Sequence, residues 1–263
     1  MTELTTEQLK ETCKNILVQF DAICREHHLR YSAGTGTLIG AVRHGGFIPW
    51  DDDIDLLMPR EDYEKLLALQ YEDEHYKIMN YRYCKGYYHT FTKMIDKRTY
   101  IDEPLRAEKN MGVFIDIFPT DYFDDISNAA AIAEKARRNA DFWNHLGADI
   151  NYHKGFTPRY AAKLLFRLAV LPFRKRLLYH FDNAFNKQKS GRYCANLQLA
   201  FYKEREFFET RVWDETIYLP FEDTEVAVFK DYDTYLTGII GDYMTPPPEN
   251  QRCTTHTFTA YKR

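Results

Sequence analysis

Residues 31–60 read YSAGTGTLIGAVRHGGFIPWDDDIDLLMPR, and the acids near their end decide the fold class. On a strand, residues two apart share a face and sit roughly 6–7 Å apart. A strand over 53–58 therefore projects Asp53 and Asp55 together while Ile54 and Leu56 face a core. Two carboxylates held that close repel unless a hard divalent cation lies between them, and Mg²⁺ takes one or two carboxylates completed by waters and phosphate oxygens. Asp51 has the same parity and is a third or outer ligand if the extended backbone begins that early. Three acids in a row are ordinarily a solvated loop. Here Pro49-Trp50 before them and Ile54, Leu56, Leu57 and Met58 after them put the acids at the edge of an apolar strand, which favours the metal reading.

Just upstream, Gly34-Thr35-Gly36 forms a small turn leading into Leu38, Ile39, Ala41 and Val42, a short helix. The free N–H groups and dipole at a helix start suit phosphate. A glycine turn alone is weak evidence; followed by an Asp-x-Asp strand it describes a nucleotide-diphosphate site. A second carboxylate, Asp116, stands in Gly112-Val113-Phe114-Ile115-Asp116-Ile117-Phe118-Pro119, apolar on both sides. An ionised Asp there is costly without a cation or a donor. It is either a third metal ligand or general base from a neighbouring strand, or a structural carboxylate satisfied by backbone N–H groups or an Arg. Lys93 reads equally as a phosphate contact and as a solvated strand lysine. His44 is a phosphate donor or merely a loop histidine.

The stretch GTGTLIGAVRHGGFIPWDDDIDLLMPREDYEKL closely resembles the signature of the LicD family of phosphotransferases, which includes the fukutin-type enzymes. The resemblance continues at 91–99, at 113–121, in Leu219-Pro220-Phe221-Glu222 and in 241–248. It implies a nucleotidyltransferase-like core. It also implies transfer of a phospho-alcohol, usually phosphocholine from CDP-choline, to a sugar hydroxyl of a cell-surface glycan, teichoic-acid or lipopolysaccharide precursor. By position it implies that Gly34 and Thr35 contact nucleotide phosphates and that Asp53 and Asp55 bind Mg²⁺, with Mn²⁺ as a substitute. Asp116 is then the third carboxylate, with Asp51 nearby. The Arg43-His44 loop belongs to the pattern and is a candidate diphosphate contact, although Gly34 lies further from Asp53 than in compact versions of the fold.

The remaining sequence supplies the frame. Thr5 with Gln8 makes a capping box, and Leu9, Cys13, Ile16, Leu17, Phe20, Ile23 and Cys24 recur at helical spacing, predicting a helix over 6–28. Strands are expected over 77–81, 88–96 and 113–118, the last closed by Pro119, and a helix over 61–70. Helical stretches follow over 129–147 and 160–186, then a hairpin over 216–229 and a helix over 232–240. The expected fold class is α+β: a nucleotidyltransferase-like mixed sheet core over 1–125 and a helical, partly basic second half over 126–263, integrated into one domain.

Charge sharpens the picture. The 263 residues carry 35 Lys+Arg and 39 Asp+Glu, a net charge of −4, which argues against a nucleic-acid coat. Yet 154–192 holds ten Lys or Arg against the single acid Asp182, a local charge of +9 that leaves −13 for the rest. Leucines and phenylalanines interleave with those cations, broken near Pro172. Such a stretch, about 159–181, lies in an anionic bilayer interface, packs as a core helix with a solvated basic face, or grooves an anionic glycan; nucleic acid is not expected. Five scattered cysteines without a CxxC pair and an N-terminus lacking an apolar signal segment predict a cytoplasmic location, with docking at the inner face of the cytoplasmic membrane left open. Two other functions stay open: a metal-dependent glycosyltransferase using a nucleotide-sugar, and a non-catalytic glycan- or membrane-binding scaffold.

Overall fold

The computed structural model describes residues 1–103, 111–147, 158–254 and 258–263; Lys154 of the basic stretch lies outside them, as do the side chains of Arg159, Lys163 and Arg167. Strand β1 (Thr2–Glu3) leads into helix α1 (Thr6–Glu26), which opens with the expected capping box: the Gln8 N–H donates to Thr5 Oγ1 at 3.3 Å and the Thr5 N–H to Gln8 Oε1 at 2.9 Å. All seven apolar positions read from the sequence are buried along one face of α1.

Next come β2 (Ser32–Ala33), α2 (Thr35–His44), β3 (Asp55–Pro59), α3 (Arg60–Leu69), β4 (Tyr76–Met79), β5 (Thr92–Asp96), β6 (Thr99–Asp102) and β7 (Phe114–Phe123). The main sheet runs β2-β3-β7-β5-β4, with β3 and β7 parallel and the other neighbours antiparallel. Alternation gives the sheet two unlike faces. One carries Leu56, Met58, Met94, Ile115 and Ile117, all fully buried, and α3 packs there through a Tyr63–Thr92 hydroxyl pair at 2.7 Å. The other carries Asp55, Lys93 and Asp116.

Three expectations need correction. Strand β3 begins at Asp55 rather than Asp53, because Asp51 is held in a turn by its N–H to Ile48 O at 2.9 Å. Strand β5 begins at Thr92 rather than at residue 88, since its partner β4 ends at Met79. Pro119 does not stop β7. Its missing N–H points to the edge where β5 pairing has ended at Ile117 and pairing with β8 (Tyr193–Ala195) begins only at Asp121.

The second half is built onto this sheet. Helices α4 (Ala129–Gly147), α5 (Pro158–Val170) and α6 (Arg174–Asp182) precede β8, and β9 (Phe207–Glu209) pairs with β8. The break between α5 and α6 falls at Leu171–Phe173, around Pro172. A hairpin of β10 (Thr216–Phe221) and β11 (Thr224–Phe229) and helix α7 (Tyr232–Ile239) bury Phe221, Val226, Phe229 and Leu236 in the same core as Leu17 and Phe20. The last strand, β12 (Thr259–Lys262), lies between β1 and β6.

A buried ionic cluster locks α6 to the sheet. Arg60, at the start of α3, donates to both oxygens of Asp121 (2.7 and 3.0 Å) and to Asp182 at 2.8 Å, and Asp182 also accepts from Tyr81 and Arg82. Burial works against the Arg60 charge, but the two carboxylates outweigh it and raise its pKa further. Above this anchor the basic helices expose Leu165, Phe166, Leu168, Leu171, Phe173 and Tyr179. Among the described residues no helix is long and apolar enough to cross a membrane.

Candidate active site

Strand register assembles the site. Asp55 is the register partner of Asp116 across the parallel β3–β7 pair, and Asp116 is the partner of Lys93 across the antiparallel β7–β5 pair. Three consecutive strands thus place two carboxylates and an ammonium in a row on one face. Lys93 Nζ donates to Asp116 Oδ1 at 2.5 Å, and both side chains are largely buried. The same ammonium sits 3.4 Å from the centroid of the Phe114 ring. Lys93, read as a phosphate contact or a solvated lysine, is therefore first of all the partner of Asp116.

The glycine turn docks directly on the acid strand. The Gly34 N–H donates to Asp55 O at 2.7 Å, and the Asp55 N–H donates to Thr37 Oγ1 at 2.9 Å. A Cβ on residue 34 would stand 3.1 Å from Asp55 O and 3.3 Å from Asp55 Cβ, so a side chain there would push the start of helix α2 away from β3 by a few tenths of an ångström. Gly34 caps α2 with no side-chain hydrogen bond, and the first-turn N–H groups have no carbonyl within the helix to receive them. Thr35 Oγ1 lies 3.4 Å from the buried Tyr235 hydroxyl, which orients it from α7.

The electrostatics are those of a crowded acidic centre. Burial pushes the Asp55 carboxyl well above the usual carboxylate range, and Asp53, Asp116 and Asp51 push it further; Lys93 pulls it back. Asp51, Asp52 and Asp53 form the tightest set, each offering an oxygen within 4.8 Å of the others. Asp52 also accepts from Thr254 Oγ1 at 2.9 Å. This is an all-oxygen donor set, the type that hard divalent cations take. Asp51 and Asp53 reach it from the irregular segment before β3 rather than from strand alternation. Behind them, burial and the same acids raise the Cys13 thiol far above its normal range, so it remains protonated.

Arg43 and His44, the candidate diphosphate contacts, stand at the end of α2 and bond to their surroundings there. Arg43 donates to Tyr243 O at 2.8 Å and to His44 Nε2 at 3.0 Å, tying α2 to the C-terminal segment. Burial, with Arg43 alongside, lowers the pKa of His44 and keeps it neutral. Thr37 and Tyr235 were not legible as site residues: a threonine inside a helix and a tyrosine some 200 residues away give no local signal. The alternating Phe91-Thr92-Lys93 and Phe114-Ile115-Asp116 do carry one, since they place aromatic rings on the same face as the charged pair.

A sequence model described as LicD/FKTN/FKRP, nucleotidyltransferase domain, matches residues 28–179. Lipopolysaccharide cholinephosphotransferase LicD of Haemophilus influenzae is 29% identical over 281 residues, covering 99% of each chain. An uncharacterised protein of Rickettsia typhi is 31% identical over 101 residues, 37% of this chain and 30% of its own. The matched span contains Gly34, the acid strand, Lys93 and Asp116, and the chain belongs to the LicD/FKTN/FKRP family.

Proposed function

We propose that this phosphotransferase moves phosphocholine, or a closely related phospho-alcohol, from a CDP-alcohol to a sugar hydroxyl of a cell-surface glycan precursor, on a nucleotidyltransferase-like core. The observation that carries the reading is the row Asp55–Asp116–Lys93 on one sheet face, abutting the uncapped start of α2. The near full-length likeness to a lipopolysaccharide cholinephosphotransferase supports the choice of phosphocholine and of a glycan acceptor.

In this reading Asp53 and Asp55 hold Mg²⁺, or Mn²⁺ in its place, with Asp51 and Asp116 completing or flanking the set. When bound, the ion offsets charge on the phosphoryl oxygens and the leaving phosphate. The α2 N–H groups at Gly34 and Thr35 hold the nucleotide phosphates in line. The acceptor oxygen bonds to the phosphorus bearing the alcohol, the bond from that phosphorus to the bridging oxygen breaks, and cytidine monophosphate leaves with the electron pair. Asp116, fixed by Lys93, takes the hydroxyl proton or serves only as a ligand. The exposed apolar residues of α5, with Lys175 and Arg176 of α6, dock on anionic lipid, bringing the site to a lipid-linked acceptor.

The test is incubation of the purified protein with Mg²⁺, a panel of CDP-alcohols and a lipopolysaccharide or teichoic-acid oligosaccharide. Cytidine monophosphate release with a phosphodiester-linked alcohol on the acceptor supports the reading, whereas a transferred sugar makes the protein a glycosyltransferase. Asp53→Asn and Asp55→Asn should each lower turnover by more than about 10²-fold without lowering the unfolding temperature; normal turnover by both removes the metal site.

A further inference from the structure

One strand beyond the carboxylates, the reactive face opens into a cleft of about 190 Å³ whose lining includes His89, Phe91, Lys93, Phe114, Asp116 and Phe258. Its wall is partly aromatic, with Glu103 and Asn144 among its polar residues. The His89 and Phe91 ring centroids are 4.8 Å apart, and those of Phe114 and Phe258 are 5.9 Å apart. Phe201, largely exposed, stands at the rim. This wall already stabilises one cation: Lys93 Nζ lies 3.4 Å from the Phe114 centroid and 5.3 Å from that of Phe91. Because Asp116 pairs with that ammonium at 2.5 Å, Lys93 presents little net charge to the rest of the cleft.

We propose that this cleft is the headgroup subsite of the donor and that it selects a quaternary ammonium. The inference rests on the phospho-alcohol transfer reading above and names the part of the donor that the carboxylates do not touch. A trimethylammonium group has no N–H to donate, so it is held by ring faces, which this lining offers, with the Glu103 carboxylate also on the wall. A neutral polyol, by contrast, gains nothing from the ring faces and would have to satisfy its hydroxyls on the polar part of the lining, His89, Glu103 and Asn144. The volume is below the roughly 300–1,000 Å³ typical of sites for drug-sized ligands, so it suits a small headgroup rather than a nucleotide. Position agrees as well. Asp55, Asp116 and Lys93 lie on successive strands about 4.8 Å apart, so a phosphorus held at the first two carboxylates has the cleft one strand away, within reach of a two-carbon linker. The nucleotide then extends the opposite way, toward Gly34 and β2.

Phe258 and Phe201 are the residues to change, because neither lies in the sheet interior. Phe258→Ala and Phe201→Ala are each expected to raise KM for CDP-choline by about 2- to 30-fold. KM for CDP-glycerol should stay unchanged, and Phe258→Tyr should restore the wild-type value. Phosphocholine titrated calorimetrically into wild-type protein should bind more tightly than glycerol phosphate, and Phe258→Ala should remove that difference. If the wild type transfers phosphocholine while both alanine variants keep the same preference for CDP-choline over CDP-glycerol, the subsite is wrong and the transfer reading stands. If no CDP-alcohol supports transfer, the transfer reading fails, and the calorimetric comparison decides the subsite alone: a lost preference upholds it, and an unchanged one overturns it.

Discussion

At the scale of single residues, the site is a set of carboxylates whose charges disfavour one another, a conflict that the proposed cation would offset. Asp55 is half-buried beside Asp53, Asp116 and Asp51, and its carboxyl is held above the usual carboxylate range first by desolvation and then by those three charges. Lys93 pairs with Asp116 and pulls Asp55 back in part. A second carboxyl outside the row has its own conflict. Glu206 is buried and accepts the Tyr202 N–H at 3.0 Å, and burial pushes its pKa from 4.5 up to about 7 despite that bond. The native state therefore holds this proton more tightly than the unfolded chain does. Stability from this group is complete below about pH 4.5 and falls as pH rises through about 7, by roughly 2–4 kcal/mol in all. Glu206→Gln keeps an acceptor for the Tyr202 N–H and abolishes the ionisation. Its unfolding temperature should fall less than the wild type's between about pH 5 and pH 8; an identical slope would place the titration elsewhere.

At the scale of elements, the start and the end of α2 are held by different parts of the chain. Its start rests on β3 through Gly34. Its end is clamped by the β10–β11 hairpin: Glu222, at the hairpin turn with φ +57°, donates its N–H to Gly45 O at 2.7 Å and accepts the Phe47 N–H on its carboxylate at 2.9 Å. Gly46 makes room for that carboxylate, since a Cβ there would lie 2.2 Å from Glu222 Oε1. Gly46→Ala should swing the Glu222 side chain away and forfeit the bond to Phe47, costing about 1.5–3 kcal/mol. Glu222→Ala should cost about the same, and the double variant little more than either alone. Urea denaturation of the three variants checks this, and fully additive losses would mean the two residues act independently.

At the scale of the whole molecule, the Arg60–Asp121–Asp182 cluster ties the end of α6 to the sheet, beside the strand pairs and shared core that join the two halves. Asp182, fully buried, is the last residue of α6, 122 positions from Arg60. Removing one partner leaves uncompensated buried charge, so Asp182→Ala should destabilise the fold by about 3–5 kcal/mol, read as a lower urea midpoint; a loss below about 1 kcal/mol would show that Arg82 and Glu64 compensate. On α5 and the break before α6, Leu165, Phe166, Leu168 and Phe173 are exposed, as are Lys175 and Arg176 of α6. Cosedimentation with phosphatidylglycerol vesicles should occur at low salt, weaken with added salt and drop for Phe166→Ser/Phe173→Ser. Absence of binding at low salt would assign these helices to another partner.

The sequence by itself determined what acts over a few residues: the Thr5–Gln8 box, the apolar face of α1, the alternation that makes β3 and β7 strands, and the glycine turn that must sit beside Asp55. It also held the acids proposed to bind a cation. Only the tertiary structure decided that Lys93 faces Asp116, that Arg43 serves Tyr243, that Glu222 closes on Gly46 and that Arg60 meets Asp182. Pro119 shows the boundary between the two. Locally it reads as a strand end, yet β7 continues because no neighbouring strand needs its N–H at that position. Strand register and long-range ion pairs follow from burying both faces of the sheet at once, a condition on the whole chain that no short pattern of residues contains.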